Sequence, residues 1–85
     1  MNTNGVAIPT IRFTAHARQR LVERFPGQAQ EICAVAESEI CEGRLRPADG
    51  PRWCVEGVVA RKLVRIIVAM DSSDRYSIIT WYPIW

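Results

Sequence analysis

One histidine, His16, serves the whole 85-residue chain, and the three cysteines, Cys33, Cys41 and Cys54, include no close-spaced pair. Metal sites need three or four N, S or O donors gathered at short spacing, so no metal or other cofactor is expected here. The five glycines form no phosphate-cradling loop, and no nucleophile elbow is present. No apolar run is long enough to span a bilayer, since Val55 to Met70 is interrupted by Glu56, Arg61, Lys62 and Arg65. The first ten residues also lack the basic start and apolar core of a leader. With an odd cysteine count read as reduced thiols, the expectation is a cytoplasmic protein that makes no membrane contact.

What is present points to a small globular domain. Apolar residues make up 48% of the chain and the net charge is only +2, so the total does not announce a nucleic-acid partner. The distribution is more telling. From Ile11 to Phe25, Arg12, Arg18, Arg20 and Arg24 outweigh Glu23. From Gln28 to Glu42, Glu31, Glu37, Glu39 and Glu42 stand without a base. From Gly43 to Ile67, six bases outweigh Asp49 and Glu56. Basic segments that fold together would make a local positive patch, with the acidic helix facing elsewhere.

Residues 1–10 read as a flexible arm, polar and punctuated by glycine and proline. Residues 11–85 read as one domain. Ile11-Arg12-Phe13 suits a short strand, and Thr14 is a helix N-cap. The first helix should end at Pro26-Gly27, and a second should run from Gln28 to Glu42 with Gly43 as its cap. Cys33 and Cys41 read as small apolar fillers of that helix. A loop from Arg44 to Pro51 precedes strands near Arg52–Glu56, Lys62–Met70 and Arg75–Tyr82, with Gly57 at a bend or bulge. The fold class is therefore α+β, two N-terminal helices packed on a three- to four-stranded antiparallel sheet.

The candidate chemistry sits at the start of the first helix and in the last hairpin. At about 100° per residue His16, Arg20 and Arg24 fall in one stripe, with Ala17, Leu21 and Phe25 beside them as a core face. The positive end of the helix dipole favours a neutral imidazole at His16. A solvated Arg20–Glu23 pair is the plain structural alternative. A hairpin turn centred on Ser72-Ser73 pairs Arg65 with Thr80, Leu63 with Tyr82 and Ile67 with Ile78. That puts Arg61, Arg65, Thr80 and Tyr82 on one sheet face and Val64, Ile66, Val68, Ile79 and Trp81 on the other. These groups suit metal-free phosphodiester cleavage. His16 would take a ribose 2′-hydroxyl proton, Arg20 and Arg65 would stabilise the phosphate, and Tyr82 would act as acid or stacking platform. Arg24, Arg61 and Thr80 would bind substrate.

His16-Ala17-Arg18-Gln19-Arg20 resembles the opening "His-Ala-x-x-Arg" of small bacterial and phage domains, and Ile78-Ile79-Thr80-Trp81-Tyr82-Pro83 resembles their closing strand. Those domains are similar to the RelE/ParE and barnase–EndoU–colicin superfamily of mostly metal-independent RNase toxins. The resemblance covers roughly residues 11–83. It implies a toxin acting on RNA or a ribonucleoprotein, with a cognate antitoxin or host protein as partner. It carries function onto His16, Arg20, Arg24, Thr80 and Tyr82. The low net charge and the acidic second helix depart from a ribosome-directed nuclease.

The alternative is a non-enzymatic inhibitor from a phage or mobile element, docking on a host protein or nucleoprotein through basic and aromatic residues. Trp81-Tyr82-Pro83-Ile84-Trp85 supports it, because aromatics and arginine anchor interfaces. For Trp81 the core is the preferred assignment.

Overall fold

A computed structural model describes residues 9–24 and 27–84. Its elements run β1 (Thr10–Phe13), α1 (Ala15–Arg24), α2 (Ala29–Cys41), β2 (Arg46–Pro47), β3 (Arg52–Val59), β4 (Lys62–Ser72) and β5 (Arg75–Pro83). The strands form one five-stranded sheet in the order β1-β5-β4-β3-β2, in which β1 is parallel to β5 and every other pairing is antiparallel. This corrects the expected three- to four-stranded antiparallel sheet. Two additions account for it. The short strand before α1 joins the far edge, Thr10 to Phe13 aligning with Arg75 to Ile78. Inside the expected loop, Arg46 and Pro47 pair with Cys54 and Trp53. Proline lacks the N–H that a central strand needs, so it fits that two-residue edge.

Both helices cover one face of the sheet and share a single core. Ala17 and Leu21 from α1, and Ile32 and Ala36 from α2, meet Val55, Val59, Val64, Ile66, Val68, Tyr76, Ile78 and Trp81. Thr14 caps α1, its Oγ1 accepting the Ala17 N–H at 3.1 Å. The α2 C-terminus closes with Gly43 at φ +75°. There the Arg44 N–H reaches the Glu39 carbonyl and the Gly43 N–H the Ile40 carbonyl, both carbonyls otherwise orphaned. Cys41 is exposed rather than a filler, whereas Cys54 is buried and Cys33 half-buried. Burial, then the Glu37 carboxylate, pushes the Cys33 thiol up. The arm up to residue 8, Phe25, Pro26 and Trp85 lie outside the described residues, as does the side chain of Arg24.

The final hairpin differs from the expected register. Its tip is Ser73-Asp74, one residue later, and Arg65 faces Tyr82, Ile66 faces Trp81 and Ile67 faces Thr80. Ser72 Oγ bonds Asp74 Oδ1 at 3.1 Å and fixes the later turn. A slip of two residues keeps the parity of a strand, so Arg65, Thr80 and Tyr82 still share a face. An irregularity between Ile67 and Val68 then moves Ile78 onto the core face in place of the expected Ile79.

Gly57 also differs from expectation. It lies mid-strand in β3 opposite Val64, neither bent nor bulged. Its role is clearance, because a Cβ there would collide with Cγ1 of Val35 on α2.

Candidate functional site on the helix-free sheet face

Strand alternation sends every second side chain away from the helices. Across β3, β4 and β5 the outward rows are Arg52–Ala69–Ser77, Cys54–Ile67–Thr80 and Glu56–Arg65–Tyr82. Arg46 lies beside Cys54 on β2, and Arg12 and Arg75 continue the face on β1 and β5. Arg12, Arg46, Arg52 and Arg75 are exposed, and among the described residues none is paired with a carboxylate. These four guanidiniums share one layer with a nearby carboxylate, that of Asp71, which accepts the hydroxyl of Ser77 opposite Arg12. The acidic helix α2 packs on β3 from the other side.

Arg65 stands in the middle of this face with partners on both neighbouring strands. Its Nε donates to Glu56 Oε2 at 2.9 Å, and its Nη2 lies 2.8 Å from the same oxygen. The Tyr82 hydroxyl and then the Glu56 carboxylate hold the guanidinium above its ordinary value. Both Glu56 contacts fall on Oε2, and no described hydrogen bond reaches Oε1. A cleft of about 450 Å³ opens beside Glu56, lined also by Glu39, Arg44, Arg46 and Leu63. Carboxylate, guanidinium and phenol thus form one row across three strands, with an open oxygen at one end and a hydroxyl at the other.

The α1 stripe is a second, separate group. His16 is exposed, and Arg20 Nε donates to His16 Nε2 at 3.4 Å. Glu23 takes its hydrogen bond from Gln19 rather than from Arg20. No described hydrogen bond or ion pair joins His16 or Arg20 to the Arg65 row. Helix α1 packs against β5 and β1 on the face carrying Ile78 and Trp81, whereas Thr80 and Tyr82 alternate to the other face.

No family model, curated protein or solved structure matches this chain.

Function must therefore be read from the geometry. Of the residues singled out in the sequence, Arg65, Thr80 and Tyr82 come together on the helix-free face, and His16 with Arg20 remain on α1. Arg61 sits at the β3–β4 tip. Among the described residues no group of His, Cys, Asp and Glu is suited to hold a metal ion. No described helix is long and apolar enough to cross a membrane.

The sequence reading missed Glu56 and the arginines Arg12, Arg46, Arg52 and Arg75. A signal for Glu56 existed. Pairing β3 with β4 across a two-residue tip at Ala60-Arg61 puts Glu56 opposite Arg65, whereas a bend at Gly57 separates them.

Proposed function

We propose that this protein is a metal-independent endoribonuclease whose substrate lies on the helix-free sheet face. The observation that carries the reading is the row Glu56–Arg65–Tyr82, in which the guanidinium is paired to the carboxylate on one strand and faces the phenol on the other, with further arginines on the same sheet face. Glu56 Oε1 takes the proton of a ribose 2′-hydroxyl. The O2′–phosphorus bond forms as the phosphorus–O5′ bond breaks, and the Tyr82 hydroxyl gives its proton to O5′. The products are a 2′,3′-cyclic phosphate and a 5′-hydroxyl end, and solvent restores both side chains. Arg65 stabilises the charge of the five-coordinate phosphate, and Arg12, Arg46, Arg52 and Arg75 hold neighbouring phosphates. In this reading His16 and Arg20 lie outside the reacting centre, and the base expected at His16 is Glu56. The resemblance to RNase toxins agrees in chemistry and differs in the residue that begins it.

Incubating the purified protein with total RNA in EDTA and mapping the ends tests this. Cyclic-phosphate ends made by the wild type and strongly reduced with Arg65→Ala support it, and RNA left intact by the wild type rejects it.

A second reading, a binder of a host protein, has its own observation. Val58 and Leu63 face each other on β3 and β4 and are 61% and 41% exposed, at the same end of the face as Tyr82. Exposed neighbouring apolar side chains of this kind suit a protein partner. Pull-down of one host protein by the wild type, lost on Leu63→Asp, with no cleavage by any variant, favours that reading.

A further inference from the structure

The β3–β4 hairpin turns through Ala60 and Arg61, between the paired residues Val59 and Lys62. Both turn residues are left-handed, Ala60 at φ 53° and Arg61 at φ 69°. A two-residue loop with positive φ at both positions is the turn that matches strand twist, and it strongly prefers Asn-Gly. An alanine followed by an arginine is a costly way to build it, because each Cβ crowds the backbone there. The fold itself gives no reason for Arg61. Its side chain is exposed and has no carboxylate partner among the described residues.

The strained tip is nevertheless anchored. Glu31, on the exposed side of α2, accepts the Ala60 backbone N–H through Oε2 at 3.2 Å. That bond ties the turn to the helix layer, where Lys62 also lies by alternation with Val64 and Ile66, and leaves Arg61 exposed at the sheet end. Arg61 precedes Arg65 by four positions, at most roughly 13 Å at the usual strand rise. Strain retained at an exposed charged residue is the pattern of a binding position.

We propose that the Ala60-Arg61 tip is a distinct phosphate-binding element, with Arg61 gripping the RNA backbone beyond the Glu56–Arg65–Tyr82 row and Glu31 bracing the turn. The proposal rests on the ribonuclease reading and adds a binding position apart from the reacting one. Fold stability is given up at this turn for a cation at its tip.

The test measures thermal unfolding together with binding of a fluorescein-labelled 2′-O-methyl oligoribonucleotide, which lacks the hydroxyl needed for cleavage. Arg61→Gly should raise Tm by a few degrees and weaken binding about tenfold, with the salt dependence shallower by roughly one phosphate contact. Arg61→Gln keeps the strain and loses the charge, so it should weaken binding as much without gaining Tm. Arg61→Lys should stay close to wild type in binding. Unchanged binding in Arg61→Gly and Arg61→Gln, with binding lost in Arg65→Ala, overturns the tip while the ribonuclease reading stands. No rise in Tm for Arg61→Gly overturns the strain. No binding by the wild type overturns the ribonuclease reading and with it the ligand assigned to Arg61.

Discussion

Two clusters in this molecule are built from the residues of phosphate chemistry, and they differ in how they are held. On α1, His16 and Arg20 meet through one 3.4 Å hydrogen bond on a helix surface. On the sheet, Arg65 makes two contacts below 3 Å to Glu56 and faces Tyr82 on the other neighbouring strand. The first pair is local, fixed by i, i+4 spacing and free to change rotamer. The second is non-local, and three strands must be in register before it exists. Catalysis depends on geometry set before the substrate arrives, and rigid strands supply that better than a solvated helix face. The cluster easier to read in the sequence is thus the less preorganised of the two.

The most direct way to break this comparison is to disable each cluster in turn. Glu56→Gln and Arg65→Ala should each lower cleavage on the order of 100-fold, about 2.7 kcal/mol of barrier. Tyr82→Phe should lose a large part of the rate while folding normally, since only a hydroxyl is removed. His16→Ala should cleave near the wild-type rate. If His16→Ala is dead and Glu56→Gln active, the chemistry belongs to α1 and the sheet assignment is wrong.

The next effect is on stability and concerns the scaffold of the sheet cluster. Gly57→Ala puts a methyl where Val35 Cγ1 already lies, so α2 must move off β3. Overpacking of this kind costs about 1–3 kcal/mol, which for a domain of this size lowers Tm by roughly 4–8 °C per kcal/mol. Adding Val35→Ala should return part of the loss. If Gly57→Ala unfolds at the wild-type temperature, the close approach of α2 to β3 is not a constraint.

How much of this was legible follows from the range of each interaction. Helix positions, the Thr14 cap and the Gly43 terminus are set within a few residues, and the sequence carries them. The faces of the last hairpin were also readable, because parity survives a slip of two residues. The exact partner of Arg65 was not readable, since the turn moved from Ser72-Ser73 to Ser73-Asp74 and exchanged Thr80 for Tyr82. The parallel pairing of β1 with β5 joins residues some 65 positions apart, and no local pattern announces it. Gly57 misled for a physical reason. A glycine needed for clearance and a glycine needed for a bend look alike until the opposing helix is in place, and the wrong choice hid Glu56.

A smaller effect tests the α1 side alone. Thr14→Ala removes the acceptor for the Ala17 N–H and should cost about 1 kcal/mol. Cleavage at temperatures where the variant stays folded should be unaffected. A large loss of rate there would restore α1 to the site.

The smallest effect sharpens the contrast between the two arginine–carboxylate clusters. Arg44 binds Glu39 at 2.9 Å and Glu42 at 3.2 Å at the α2 C-terminus, with over half of the Arg44 side chain exposed. The hydrogen bond from Arg44 holds the Glu39 carboxyl below its ordinary value, outweighing the opposing effect of burial, and Glu39 in turn holds Arg44 above its own. A carboxyl whose folded value is depressed stabilises the protein above its unfolded value, and that contribution fades as pH falls through the folded one. Acidification below about pH 5 should therefore erode the α2 terminus slightly more in wild type than in Glu39→Gln, which has no such contribution to lose. Exposed pairs are screened, so the difference should shrink at high salt and stay below that of Thr14→Ala. Glu39→Gln should leave cleavage intact where Glu56→Gln lowers it on the order of 100-fold, although both carboxylates bind an arginine at the same distance. Equal loss of cleavage in both variants would mean that an arginine–carboxylate pair in this fold only supports structure, and Glu56 would no longer stand as the base.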